Sequence, residues 1–216
     1  LQKRNLLGIP IISKDKIEDY LGALKDYSKA IELNPNDPDY FFNRAITKEN
    51  LKDFSGAIID YSKVLELNPK DEGTYNNRGL LHQELKNEKE AIKDFTMAIN
   101  LAPQIDYHYY NRGISKGNLE DYYGEISDYN TAIKINPNEP DYFNNRGLSK
   151  EQIKDFEGAK LDYTKAIELD SEYSLSYYNR GLLFGNEDNM VDACKDWAKA
   201  ASLGDKDAEL FVKEDC

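Results

Sequence analysis

The stretch that decides the fold is residues 38–71, which read PDYFFNRAITKENLKDFSGAIIDYSKVLELNPKD. It contains two amphipathic segments of similar length with a short break between them. In the second segment Ala57, Tyr61 and Val64 follow the i, i+4, i+7 spacing of one buried helix face. Pro69 predicts the end of that segment, because proline disfavours helical geometry in the residue before it. Residues 38–71 therefore predict a pair of helices joined by a short turn.

The same pattern returns every 34 residues. Prolines occur in one register at Pro35, Pro69, Pro103 and Pro137, and Ser171 takes the next place. Five copies result: repeat 1 (38–71), repeat 2 (72–105), repeat 3 (106–139), repeat 4 (140–173) and repeat 5 (174–207). A helix pair of this size buries its apolar face only against its neighbours, so the array predicts a stack of repeats.

The two ends of the chain depart from the pattern. Residues 1–37 predict an N-terminal segment with a degenerate half repeat, in which a helix spans about 15–33 and Gly8 and Pro10 interrupt the part before it. Residues 207–216 predict a short capping helix over repeat 5.

The repeat resembles the tetratricopeptide repeat, whose pattern combines large aromatics with small residues at fixed places. In repeat 2 the matching residues are Tyr75, Gly79, Ala91, Phe95, Ala98 and Pro103. The resemblance implies an all-α fold, a right-handed α-α superhelical solenoid of helix-turn-helix units. It also implies that the first helix of each repeat lines a concave groove that binds another polypeptide. One departure is Glu125, which replaces the alanine of the pattern; we expect it either to rotate the second helix slightly or to reach solvent.

The resemblance places an asparagine of every repeat in the groove. These are Asn43, Asn77, Asn111, Asn145 and Asn179. Beside them we expect Phe42, Asn76, Tyr107, Tyr110, Asn144 and Tyr178. An asparagine amide both donates and accepts hydrogen bonds, so such a ladder could hold a peptide backbone without reading its sequence. The alternative is that duplication copied a helix-compatible surface residue five times.

An arginine and an aspartate recur 16 residues apart in every repeat. The pairs are Arg44 and Asp60, Arg78 and Asp94, Arg112 and Asp128, Arg146 and Asp162, and Arg180 and Asp196. We interpret them as partly buried structural ion pairs, since an unpaired arginine beneath aromatic rings would be costly. The alternative is that the arginines bind a phosphorylated or acidic ligand.

The composition limits the classes of function. The net charge of −12 argues against nucleic acid and anionic membranes as partners, and the chain has neither a long apolar run nor a recognisable signal peptide. His82 and His108 lack the spacing of a metal or catalytic pair and are expected at the surface or at an edge of the fold. Cys194 and Cys216 are either free thiols or a disulfide. We predict no catalytic residues, no cofactor and no metal.

These features predict a non-catalytic scaffold whose partner is a protein or peptide that the sequence does not identify. The alternative is a structural array that forms a homo-oligomer through its terminal repeats, because the incomplete N-terminal repeat leaves a helix face open.

Overall fold

The computed structural model describes residues 14–216, and all regular secondary structure in that range is helical. The chain divides into two compact blocks, one ending at Leu101 and the other spanning Ala102–Cys216. The first block contains α1 (Lys14–Leu33), α2 (Pro38–Asn50), α3 (Phe54–Leu67), α4 (Glu72–Glu84) and α5 (Glu88–Leu101). The second contains α6 (Asp106–Gly117), α7 (Tyr122–Ile135), α8 (Pro140–Gln152), α9 (Phe156–Leu169), α10 (Ser174–Asn186), α11 (Met190–Ser202) and α12 (Lys206–Asp215).

Within each block the helices pack in the order of the chain. The helices of one repeat form hairpins, namely α2 with α3, α4 with α5, α6 with α7, α8 with α9, and α10 with α11. The second helix of a repeat also packs on the first helix of the next, as α7 does on α8. This linear order of helix-turn-helix units confirms the predicted all-α repeat fold. The helix predicted at 15–33 is α1, and the interrupted stretch before it lies outside the described residues.

The turn inside each repeat depends on one residue with left-handed backbone geometry. These residues have φ near +60° and are Lys52, Lys86, Glu120, Lys154 and Asp188. The residue after the first of them, Asp53, caps α3 by accepting a hydrogen bond of 2.9 Å from the Gly56 N–H. A Cβ on Gly56 would lie 2.1 Å from Asp53 Oδ2, so the Asp53 carboxylate would have to shift if a side chain were added there.

The two helices of a repeat meet where a small residue faces a buried ring. A Cβ on Gly147 would lie 2.6 Å from the ring of Tyr163, so glycine allows α8 to approach α9 closely. Tyr163 is fully buried there, together with Ala159. The two remaining tyrosines at this place, Tyr61 and Tyr129, are buried in the same way in repeats 1 and 3.

The C-terminal helix is fixed by a disulfide and by stacked rings. Cys194 and Cys216 are bonded to each other, which ties the end of α12 to α11. Phe211 of α12 stacks on Trp197 with 4.6 Å between ring centroids. At the other end of this block His108 is fully buried, which corrects its predicted surface position; its ring lies edge-on to Tyr107 on α6.

Candidate binding surface

The recurrent arginine of each repeat forms a bidentate pair with the recurrent aspartate. In repeat 1 Arg44 donates through Nε and Nη2 to the two carboxylate oxygens of Asp60, at 2.8 and 2.7 Å. The same two bonds, with N–O distances of 2.5–2.9 Å, join Arg78 to Asp94, Arg112 to Asp128, Arg146 to Asp162, and Arg180 to Asp196. All five aspartates are buried. A buried carboxylate that accepts two hydrogen bonds from one arginine stabilises the repeat as part of an ion pair.

Each arginine also contacts the aromatic ring three places before it, and the guanidinium groups described below also donate to the preceding repeat. Arg44 lies over the ring of Phe41, 5.6 Å from its centroid, and donates to Ser28 Oγ on α1. Corresponding bonds between repeats run from Arg78 to Ser62, from Arg146 to Asn130, and from Arg180 to Thr164. The arginine therefore fastens one repeat to the next.

A second cation on the aspartate was missed by the sequence analysis. Lys48 lies 2.7 Å from the Asp60 carboxylate and also donates to the Gly56 carbonyl. Lys116 and Lys150 make the same contacts in repeats 3 and 4. The sequence pattern that indicates this second cation is a basic residue 12 places before the aspartate in repeats 1 to 4.

In the second block, the predicted asparagine ladder joins neighbouring first helices. Asn145 of α8 donates from Nδ2 to the Tyr110 hydroxyl of α6 and to the Asp141 carbonyl, both at 2.9 Å. Asn179 of α10 donates to Asn144 Oδ1 at 3.1 Å. We call the exposed and half-buried side chains of α6, α8 and α10 the first-helix surface. Asn145 can offer a ligand on this surface only its amide oxygen.

The other predicted asparagines lie in several environments. Asn43 is exposed and donates to the Asp39 carbonyl, Asn77 is hydrogen-bonded to the Tyr61 hydroxyl, and Asn111 is half-buried. Asn76 and Asn144 are only 7% and 3% exposed, which corrects their assignment to the ligand-facing surface.

The burial of Asn144 follows from its contacts with repeat 5, because its amide oxygen also accepts from the Ser176 hydroxyl at 2.9 Å. Its position therefore serves the contact between repeats 4 and 5.

Of the aromatic residues predicted for the groove, three pack against other rings and one is exposed. Phe42 packs on Tyr61, and Tyr178 packs against Phe211. Tyr110 lies between the rings of Tyr129 and Tyr142, with centroids 5.6 and 4.9 Å away, and burial raises its pKa to about 12. Tyr107 is the most exposed of the four predicted rings.

Glu125 is half-buried, and its carboxyl is held by a hydrogen bond within the repeat, which corrects the expected rotation of the second helix. In repeats 1 and 4 the buried tyrosine donates its hydroxyl hydrogen to a first-helix glutamate, from Tyr61 to Glu49 and from Tyr163 to Glu151. In repeat 3 that first-helix place is Gly117, and Glu125 on α7 accepts from the Tyr129 hydroxyl instead, at 2.9 Å. The carboxyl that accepts from the buried tyrosine is therefore on the first helix in repeats 1 and 4 and on the second helix in repeat 3.

Gly117 allows the Glu125 carboxyl to take the place of a first-helix glutamate. A Cβ there would lie 2.6 Å from the Glu125 carboxyl, so the carboxyl occupies the space that a first-helix side chain would fill. Helix α7 keeps its register, since Asp128 still pairs with Arg112. Desolvation raises the pKa of Glu125, although the hydrogen bond from Tyr129 favours the ionised form.

A cavity of about 370 Å³ opens beside this carboxyl, between repeats 3 and 4. Its walls come from α6, α7 and α8 and include Ile114, Tyr122, Leu148 and Gln152 in addition to the residues around Glu125. Glu125 is the one lining residue with a charged side chain. The first-helix surface thus contains a recess with mixed apolar and polar walls and one acidic side chain, Glu125.

The described residues contain neither a metal cluster nor a membrane span. In residues 14–216 no three or more His, Cys, Asp or Glu side chains are grouped so as to hold a metal ion. No helix in the same range combines the length and apolarity needed to cross a bilayer.

Family comparison identifies the class of protein. A tetratricopeptide repeat model matches residues 38–71, 73–105, 109–139 and 140–173, and a second TPR repeat model matches residues 16–52. The chain therefore belongs to the tetratricopeptide repeat family, a family of protein-interaction scaffolds. No curated protein is significantly similar to it.

Solved structures similar in fold to this chain include the following three. A crystal structure of MamA is 24% identical, with 76% of this chain and 96% of that chain covered and a TM-score of 0.71. YrrB, described as a TPR protein with an unusual peptide-binding site, is 22% identical, with coverage of 87% and 97% and a TM-score of 0.70. The C-terminal part of a TPR repeat-containing protein from Cytophaga hutchinsonii is 17% identical, with coverage of 86% and 74% and a TM-score of 0.75. These likenesses show the fold.

Proposed function

We propose that this chain is a non-catalytic scaffold that binds an extended segment of a partner polypeptide on its first-helix surface. The observation that carries the proposal is the recess between α6 and α8, which is lined by aromatic, amide and aliphatic side chains. Such a mixture provides apolar contact area and hydrogen-bonding groups for a peptide. The peptide-binding site named for YrrB, a protein of the same fold, supports the same reading.

Asn145 and Asn179 contribute less to binding than a free amide ladder would. One N–H of each amide is used between repeats, and the second N–H of Asn145 is used within α8. In this proposal Asn145 presents an acceptor, and the peptide supplies the donor. The arginines and their aspartates stabilise the repeats and do not contact the partner.

The proposal can be tested with short random peptides displayed on phage and selected on the immobilised full chain. An enriched peptide is then measured by fluorescence anisotropy against Leu148→Lys, which obstructs the recess from its rim. Leu161→Lys is the matched control, because Leu161 is exposed on α9 and the change of charge is the same. The proposal expects binding to be lost with Leu148→Lys and kept with Leu161→Lys. Equal binding by both variants would contradict it.

The second candidate function is self-association through the α1 end of the array. Leu21 of α1 is 52% exposed, which supports an apolar contact there. Sedimentation of the full chain and of Leu21→Glu tests this candidate. Self-association predicts a concentration-dependent dimer that the variant weakens, whereas a monomer at every concentration would exclude it.

A further inference from the structure

The recess beside Glu125 has the polarity of a receptor for one cationic side chain. A carboxylate has about four acceptor sites, and the Tyr129 hydroxyl occupies one of them. Lys116 of the adjoining helix α6 is held by Asp128 at 2.7 Å and does not neutralise Glu125. The carboxylate therefore keeps acceptor capacity on the cavity side and lacks a positive partner among the lining residues.

The amide of Asn145 adds an acceptor to the recess. Both N–H bonds of the Asn145 amide are engaged, with the Tyr110 hydroxyl and the Asp141 carbonyl, so its oxygen is the free end. The Ser149 hydroxyl donates to the Asn145 carbonyl at 2.9 Å. A negatively charged ligand would meet the like charge of Glu125 here, whereas an ammonium or guanidinium group would find acceptors in Glu125 and Asn145.

The walls favour a long side chain over a small cation. Leu148 is 39% exposed and, with Ile114, forms an aliphatic wall of the recess. Lysine and arginine bury their methylene stems against such surfaces while the charged head reaches a polar group. Tyr122 and Tyr129 also line the recess, and aromatic faces attract cations.

We propose that this recess binds a lysine or arginine side chain of the extended partner peptide, with Glu125 as the charge-recognising residue. This specificity rests on the proposed function, because it names the chemistry of the peptide that the first-helix surface would bind. Repeat 3 has this site because Gly117 and Glu125 replace the arrangement of repeats 1 and 4. In those two repeats the carboxyl comes from the first helix, whereas in repeat 3 it comes from α7 and lies beside open space.

The direct test uses small probes and the full chain. N-acetyl-arginine N-methylamide is titrated into ¹⁵N-labelled protein and compared with the citrulline analogue, which has nearly the same shape without the charge. Chemical shifts of Gly117, Gly124 and Ser149 are expected to move with the arginine probe only. In Glu125→Gln, which keeps an acceptor for Tyr129, the arginine response should weaken by about tenfold. The matched control is Glu49→Gln, which neutralises the corresponding glutamate of repeat 1 and should leave the response unchanged.

Equal responses to arginine and citrulline, or an unchanged response in Glu125→Gln, would overturn the inference. Peptide selection separates this failure from failure of the proposed function. Enriched peptides that bind the first-helix surface without a conserved basic position would overturn the cation site and leave the scaffold proposal standing. A specific arginine response with no enriched peptide would support the cation site and count against peptide binding.

Discussion

Each of the buried aspartates in repeats 1, 3 and 4 meets two cations, and repeat 2 is an exception. There Asp94 pairs with Arg78, but the second place holds His82, whose Nε2 lies 3.9 Å from the carboxylate. Burial is the main cause that lowers the pKa of His82, so the imidazole is neutral at neutral pH. Its Nδ1 is buried without a hydrogen-bond partner. Repeat 2 therefore lacks an interaction that three other repeats have.

Replacing His82 by lysine should stabilise the protein. The ammonium can reach Asp94 as Lys150 reaches Asp162, and the buried imidazole nitrogen is removed. We expect a gain of about 1 kcal/mol in the free energy of unfolding, measured by urea denaturation at pH 7. The reverse change, Lys150→His, should lose a similar amount. A destabilised His82→Lys protein would show that the repeats are not equivalent at this place.

The tyrosine-bound glutamates make stability depend on pH. Desolvation raises the pKa of Glu151 above its ordinary value of 4.5, in opposition to the hydrogen bond from Tyr163. The folded state then holds a proton more tightly than the unfolded state. This contribution to stability is fully present below pH 4.5 and is lost as pH rises through the raised pKa.

Glu151→Gln should remove that loss, because glutamine accepts from Tyr163 without carrying a charge. The free energy of unfolding of the variant, relative to the native protein, is expected to increase between about pH 4 and pH 7. Denaturation curves across that range provide the measurement. A difference that stays constant with pH would contradict the assigned desolvation.

Part of the site is predictable from residue spacing and part is not. The constant separation of arginine and aspartate indicates their pairing, because the same two positions face each other in every hairpin. Burial of Asn144 depends instead on Ser176, which lies in the next repeat. The position of the Glu125 carboxyl depends on Gly117, which only the three-dimensional packing brings to it.

At the scale of helices, the distance between the two members of a hairpin is set by one small residue and one ring. The 34-residue period predicts both helices of every repeat and their order, since glycine, alanine and aromatic residues recur at fixed places. It does not predict the left-handed residue of each turn, because Lys52, Lys86, Glu120, Lys154 and Asp188 share no side-chain type that favours this geometry.

Gly147→Ala tests the close approach of α8 and α9. The added methyl group would overlap the Tyr163 ring, so we expect a loss of about 1–3 kcal/mol in the free energy of unfolding. The value should fall at the lower end, since repeat 1 already has Ala45 opposite Tyr61. Gly73→Ala is the control, because its Cβ would meet its nearest atom at 3.5 Å. Equal effects of the two changes would exclude ring contact as the cause.

The disulfide should hold α12 in place as the C-terminal cap. Its two cysteines are separated by 22 residues, and opening a loop of that size removes about 3 kcal/mol of stabilisation in the chain-entropy description. A Cys194→Ser, Cys216→Ser protein is expected to unfold α12 more readily, with faster amide exchange in residues 206–215. Reduction of the native protein should reproduce this result. Unchanged exchange in both samples would mean that the Phe211 and Trp197 stack is sufficient.

At the scale of the whole molecule, the charge of −12 matters for association. A net negative protein attracts basic peptides over distances comparable to the Debye length, about 8–10 Å at ordinary salt. We therefore expect the association rate of an arginine-containing peptide to fall as salt rises, with a smaller effect on dissociation. Stopped-flow fluorescence at several salt concentrations measures both rates. An association rate independent of salt would contradict the electrostatic contribution.

The central claim is that a partner peptide lies on the first helices of the repeats. Chemical-shift mapping of the ¹⁵N-labelled chain with an enriched peptide tests it most directly. The proposed function predicts that the largest shifts fall in α6 and α8, around Gly117 and Ser149, and include the side-chain amide of Asn145. Shifts confined to α7, α9 and α11 away from the recess, or to the exposed Leu161 side of repeat 4, would contradict the claim.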